Sequence, residues 1–130
     1  MFKLEMRVRD YECDLQGVVN NAVYKNYLEH ARHEFLLEKG VNFAELAAQG
    51  IDLMVVRVEI DYKASLRPQE DFYVTVEVAQ EGRVKFAFLQ KIFKQDGTLV
   101  VAAKTYGATV KGGRPVRPIE ALANLITVSE

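Results

Sequence analysis

A chain of 130 residues, 49% apolar and 27% charged, has the size and balance of a single globular domain spanning residues 1–130. Its 17 basic and 18 acidic side chains leave a net charge of −1, without the basic excess of a general nucleic-acid binder. Cys13 is the only cysteine, which excludes an intrachain disulfide and a paired-cysteine metal site.

The first segment alternates Phe2, Leu4, Met6 and Val8 with Lys3, Glu5, Arg7 and Arg9, the period-2 pattern of a half-buried strand. This charged start has no signal-peptide apolar core, and no apolar run approaches the roughly 20 residues that span a bilayer; the expectation is a cytoplasmic protein with no membrane partner. An irregular stretch follows from Asp10 to Asn20. From Asn21 to about Lys39 the period becomes helical: Val23, Tyr27, Ala31 and Phe35 recur every four residues, with Tyr24, Leu28 and Leu36 or Leu37 beside them. Asn20 or Asn21 can cap its start, and Gly40 marks its end. At this length the helix is roughly 28 Å long. Phe43 to Gln49 adds one or two further helical turns.

Beyond Gly50 the chain reads as strands. Met54, Val56, Val58, Ile60 and Tyr62 form one apolar set, while Ile51, Leu53 and Val55 make the opposite face apolar too. This predicts a strand buried on both sides in its first half. Phe72 to Val78 and Val84 to Ile92 alternate, and Asp96-Gly97 signals a hairpin. The last strand, about Thr98 to Lys111, carries Ala102, Ala103, Gly107 and Ala108, small residues that let a helix sit close. Gly112-Gly113, Pro115 and Pro118 end it, and Ile119 to Ile126 offers a final helical turn. One helix beside a run of strands predicts an α+β domain with an antiparallel sheet packed on that helix.

The chemistry concentrates in Glu12-Cys13-Asp14-Leu15-Gln16-Gly17-Val18-Val19-Asn20-Asn21-Ala22-Val23-Tyr24, just ahead of the long helix. The first N–H groups of a helix lack intrahelical partners and carry partial positive charge, so they can stabilise a carbonyl oxygen as it becomes an oxyanion. A carboxylate held beside them can attack that carbonyl or activate a water to do so. The competing explanation is structural: Asp, Gly and Asn are ordinary turn and cap residues.

The pattern Asp14-x-x-Gly17-x-Val19, then Tyr24, Tyr27, Glu29, Ala31 and Arg32, resembles the 4-hydroxybenzoyl-CoA thioesterase family of hot-dog proteins. The order of elements and the stretch Val56 to Tyr62 are similar as well. The resemblance implies a hot-dog fold, an antiparallel five-stranded sheet wrapped around one long central helix. It implies hydrolysis of an acyl-CoA or aryl-CoA thioester, with Asp14 as nucleophile or general base and Gly17 shaping the turn. The backbone N–H near Asn21 would polarise the carbonyl. One bacterial branch of the family has a histidine where this chain has Asn21. Asn20-Asn21 ahead of Tyr24 also looks like acyl-carrier-protein thioesterases, which have a histidine where this chain has Val18. The substrate partner is therefore an acyl-CoA or an acyl-carrier-protein thioester. The family further implies a homodimer or homotetramer, with no cofactor and no metal beyond the CoA of the substrate.

The remaining candidates rank below Asp14. Val18, Val19 and Tyr24 are expected near the substrate, and Arg57, Lys63 and Arg67 are the candidate contacts for CoA phosphates. Glu29 is the alternative carboxylate, since another hot-dog branch uses a helix glutamate; the plainer expectation is a pair with Arg32 three residues on. Cys13 lacks a neighbouring histidine and reads as a small apolar residue. His30 and His33 have no second ligand cluster and read as an exposed face. A dehydratase needs a catalytic histidine near the helix start, which this chain lacks. A non-catalytic acyl-CoA or acyl-carrier binder of the same fold is the main rival reading.

Overall fold

The computed structural model describes residues 1–128. Strand β1 (Phe2–Arg7) and a 3-10 turn (Asp10–Glu12) lead into the long helix α1 (Asn21–Glu38), followed by the short α2 (Phe43–Ala48). Strands β2 (Ile51–Tyr62), β3 (Asp71–Glu81), β4 (Lys85–Lys94), β5 (Leu99–Lys111) and β6 (Arg114–Val116) come next, and α3 (Glu120–Val128) closes the described chain. The strands run antiparallel in the order β1-β3-β4-β5-β2, with β6 beside β5. This is the hot-dog arrangement, one antiparallel sheet curled around α1. The short β6 is a sixth strand beyond the five expected: Gly112 and Gly113, both at positive φ, turn the chain back onto β5 instead of ending the sheet.

Helix α1 begins as its sequence predicts. Asn20 stays extended and its Oδ1 accepts the Ala22 N–H at 2.9 Å. Tyr24, Tyr27, Leu28, Ala31, Phe35 and Leu36 form the buried stripe, while Leu37 faces solvent. The stripe packs over β3 and β1, with the Tyr27 ring 4.7 Å from that of Phe72 and Phe35 edge-on to Phe2. Each such fully buried large side chain contributes about 1.5–3 kcal/mol. No described helix is long and apolar enough to cross a membrane.

Strand β2 departs from its prediction. It lies at the end of the sheet order with β5 as its only partner among the described residues, and Met54, Val55, Val56 and Val58 are exposed rather than buried on both sides. A β-bulge explains the double apolar pattern. Val55 opposes Gly107 and Arg57 opposes Tyr106, so Val56 is an extra residue. The inward set therefore switches from Ile51, Leu53 and Val55 to Val58, Ile60 and Tyr62.

Among the small residues of β5, Gly107 has a different reason. A Cβ on Gly107 would lie 2.5 Å from the Phe86 ring, so the glycine makes room for an aromatic ring of β4 and not for the helix. Inside the same face a polar knot joins the layers. Buried Gln90 donates Nε2–H to the Leu28 carbonyl at 3.0 Å and accepts from Arg32 Nη1 at 3.1 Å.

Candidate active site

The turn that carries Asp14 is a closed hairpin. Cys13 and Val19 form an antiparallel bridge, the Asp14 N–H donates to Val18 O at 2.9 Å, and the Gly17 N–H donates to Asp14 O at 3.0 Å. Gly17 has φ +76, a left-handed conformation that glycine adopts without strain. Asp14 Oδ1 accepts the Gln16 N–H at 2.9 Å, fixing the side chain. Oδ2 has no hydrogen-bond partner among the described residues, and the side chain is exposed. One carboxylate oxygen thus orients the group while the other stays available.

The same hairpin is stitched to the start of α1. The Asn20 N–H donates to the Glu12 carbonyl at 3.1 Å, and the Val23 N–H to Asn20 O at 2.9 Å. Asn20 Oδ1 takes the Ala22 N–H, which leaves the Asn21 N–H without an acceptor among the described residues. An unpaired donor at the positive end of an 18-residue helix therefore stands two residues beyond the Cys13–Val19 bridge that closes the hairpin of Asp14. The Tyr62 hydroxyl reaches Asn21 O at 3.4 Å, tying the end of β2 to the same spot.

Beneath the turn lies a group that sequence reasoning missed. Glu12 is 8% exposed, and its carboxylate is saturated with donors. Oε1 accepts the Arg9 amide at 2.8 Å and the Tyr27 hydroxyl at 2.7 Å, while Oε2 accepts Arg9 Nη2 at 2.8 Å and Nε at 3.2 Å. Burial raises the Glu12 pKa, but the bonds from Arg9 and Tyr27 outweigh it and hold the carboxyl below its ordinary range. Burial pushes the Tyr27 hydroxyl far up, and the bond to Glu12 pushes it further. The available signal was a glutamate three residues after an arginine, just before a turn, opposite a helix tyrosine.

The other predicted residues divide. Val18 is half-buried beside the turn, but Val19 and Tyr24 belong to the core at 2% exposure each. Val19 N–H donates to Leu66 O and the Leu66 N–H donates to the Tyr24 hydroxyl, both at 2.9 Å, so these residues anchor the site from below and present no face to solvent. Lys63 and Arg67 are exposed on either side of Leu66. Arg57 is exposed on the outer face of β2, paired with Glu59 at 3.0 Å and lying over the Tyr106 ring. Five residues of strand, about 17 Å, separate it from Tyr62 at the helix start, so it does not join Lys63 and Arg67 within one chain. Glu29 is exposed two turns into α1, and no Glu29–Arg32 ion pair forms; Arg32 turns inward to Gln90 and Thr105 instead. Burial raises the Cys13 thiol pKa and neighbouring carboxylates add to this, which keeps it protonated. His33 packs edge-on against Phe43.

A family model described as the Thioesterase-like superfamily matches residues 8–124, which include the Asp14 hairpin, α1 and all of β2 to β6. The chain belongs to that superfamily. Among curated relatives, a chloroplastic acyl-acyl carrier protein thioesterase of Arabidopsis thaliana is 42% identical over 92 residues, 71% of this chain and 49% of that protein. The acyl-CoA thioester hydrolase YbgC of Escherichia coli O6:H1 is 26% identical over 104 residues, 80% of this chain and 78% of that protein. A crystal structure of a hypothetical protein from Aquifex aeolicus superposes with a TM-score of 0.88 at 30% identity, covering 97% of this chain and 99% of that one. The chain spans about half the length of the plant relatives it matches. Superfamily membership agrees with the curled sheet and central helix described above.

Proposed function

We propose that this chain hydrolyses the thioester of an acyl-CoA or an acyl-carrier protein to a free acid and a thiol. The observation that carries this reading is the pairing of a half-free carboxylate, Asp14, with the unpaired Asn21 N–H on one hydrogen-bonded hairpin and helix cap. The thioester carbonyl oxygen docks at the helix N-terminus, where the N–H and the helix dipole oppose its developing negative charge. Asp14 Oδ2 attacks the carbonyl carbon, or takes a proton from a water that does. The C–S bond then breaks and the thiolate leaves, protonated from solvent; on the nucleophilic route a water afterwards cleaves the acyl–Asp14 anhydride, releasing the acid and restoring the carboxylate. Gly17 keeps the turn tight, and Glu12 holds it against Tyr27.

Both named relatives support thioester chemistry, one on each carrier, so the carrier is part of the proposal. The reading takes the chain as a member of the 4-hydroxybenzoyl-CoA thioesterase branch, supported by its Asp14-x-x-Gly17-x-Val19 motif, with the cytoplasm as its site of action. The reading includes a homodimer, or a homotetramer of such dimers. Its support is the unpaired edge of β2, where Met54, Val55 and Val56 are each about half exposed. In such a dimer the outward Arg57 of one subunit becomes a candidate contact for CoA phosphates of the other, beside Lys63 and Arg67. Release of thiol from matched acyl-CoA and acyl-carrier-protein thioesters tests the reading. Turnover of either supports it; tight binding of both with no turnover favours a non-catalytic acyl-carrier binder.

A further inference from the structure

Three tyrosine rings meet at the start of α1, Tyr24 touching both Tyr27 and Tyr62, and two of the three hydroxyls are fully used. Tyr24 is buried and its hydroxyl accepts the Leu66 amide at 2.9 Å, while buried Tyr27 donates to Glu12 Oε1 at 2.7 Å. Tyr62 is different. It is 43% exposed, and its hydroxyl reaches the Asn21 carbonyl at 3.4 Å. An ordinary O–H···O bond is about 2.5–3.0 Å long, so this contact is weak. The Asn21 carbonyl also lies in the first turn of α1, where the Lys25 amide four residues on is its regular donor.

The frame behind that hydroxyl is firm. Tyr62 is the last residue of β2, paired with Val101 of β5, and the next amide, that of Lys63, donates to Val100 O at 2.8 Å. Its ring lies tilted against that of Tyr24, with centroids 5.8 Å apart. The sheet fixes the backbone and a core residue supports the ring, which gives the hydroxyl a defined place beside the helix end. The nitrogen and oxygen of one helical residue are about 3.5 Å apart, so this hydroxyl stands within about 7 Å of the unpaired Asn21 nitrogen. Two donors sharing one oxyanion, each about 2.8 Å from it, stand about 5 Å apart. A small swing of the Tyr62 side chain covers the difference and gives up only the 3.4 Å contact.

We infer that the Tyr62 hydroxyl is a catalytic group, the second hydrogen-bond donor to the oxyanion beside the Asn21 N–H. This rests on the thioesterase reading, which puts the thioester carbonyl at Asn21. In the free protein the O–H leans on the Asn21 carbonyl. With substrate bound it turns to the thioester carbonyl oxygen, and the bond tightens as negative charge collects there during attack. No proton is transferred. The phenol keeps its hydrogen throughout, and the oxyanion becomes a carbonyl again when the C–S bond breaks. A tetrahedral oxyanion has more lone pairs than one N–H can satisfy, and Tyr62 supplies the second donor from the β2 side of the site.

The test is Tyr62→Phe, which removes the hydroxyl and keeps the ring against Tyr24. Thiol release is measured from hexanoyl-CoA and from hexanoyl-acyl-carrier protein, with melting temperatures matched to wild type. On whichever thioester wild type cleaves, loss of an oxyanion donor lowers kcat about a hundredfold and leaves KM within about threefold. A fall in kcat of less than about fivefold overturns the inference, as does a loss confined to KM. Infrared spectra separate a donor from a mere prop for the helix start. Hexanoyl-CoA carrying a ¹³C thioester carbonyl is bound to Asp14→Asn protein, with and without Tyr62→Phe. Direct donation places the carbonyl band at lower frequency in the single variant than in the double one. The same frequency in both overturns the inference even if kcat falls. This comparison needs binding and no turnover. A wild type that cleaves neither thioester therefore sinks the hydrolase reading, while the band position still decides the role of Tyr62.

Discussion

Tyr27 donates its hydroxyl hydrogen to Oε1 of Glu12 at 2.7 Å, joining the second turn of α1 to the segment that carries Asp14. A buried carboxylate with four donors two residues ahead of a reactive group acts as an anchor: it fixes where the hairpin stands relative to the helix end. Tyr27→Phe removes one donor and keeps the ring packed on Phe72. Hydrogen bonds to charged groups contribute about 1.5–3 kcal/mol, so urea denaturation should show a loss of that order. The displaced hairpin should lower kcat about tenfold with KM little changed. In an Asp14→Asn background the same change should leave the residual rate unaltered. A further fall in that background means that Tyr27 does not act through Asp14.

The Glu12 anchor also gives a pH dependence. Its carboxyl lies below the ordinary range when folded, because its hydrogen bonds outweigh burial. A depressed carboxyl contributes stability that is complete above its unfolded pKa and is lost as pH falls through the folded value. Wild type should therefore exceed Glu12→Gln in urea midpoint at about pH 7, and the gap should narrow as acid carries the pH down through the folded value. A gap that is constant with pH removes Glu12 as its source.

Tyr24 makes the complementary case beneath the helix start. Its hydroxyl is the acceptor for the Leu66 amide, and both residues are buried. Tyr24→Phe strands that N–H away from water at a cost of about 1–3 kcal/mol. Thermal unfolding reads the loss. An unchanged melting temperature means that the amide finds another partner.

The exposed β2 edge predicts assembly. Val56, the extra residue of the bulge, is 52% exposed at the end of the sheet. Val56→Lys places a charge on that edge, a device that blocks edge-to-edge pairing. Sedimentation should show wild type as a dimer or tetramer and the variant shifted to smaller species. A wild-type monomer ends the homodimer proposal.

The long helix was legible because its stripe repeats over eighteen residues, and its Asn20 cap and Gly40 stop follow local chemistry that needs no tertiary context. The Asp14–Gly17 turn was legible for the same reason. The β2 bulge was not: an extra residue reverses the apolar parity, and a period-2 reading turns one continuous inward face into two half-faces. Gly107 was misjudged because the ring it accommodates comes from the neighbouring strand, twenty-one positions earlier. Buried Glu12 and half-buried Arg32 were missed as inward polar groups because their partners, Tyr27 and Gln90, become neighbours only after folding.

The most direct measurement is thiol release by wild type and Asp14→Asn at matched protein and substrate concentrations. The substitution keeps an Oδ1 acceptor for the Gln16 N–H, so the hairpin survives while the carboxylate is removed. A fall in kcat by orders of magnitude, with melting temperature preserved, is the predicted result. Turnover that survives the substitution contradicts Asp14 as the reacting group and turns attention to Glu29 on the exposed side of α1.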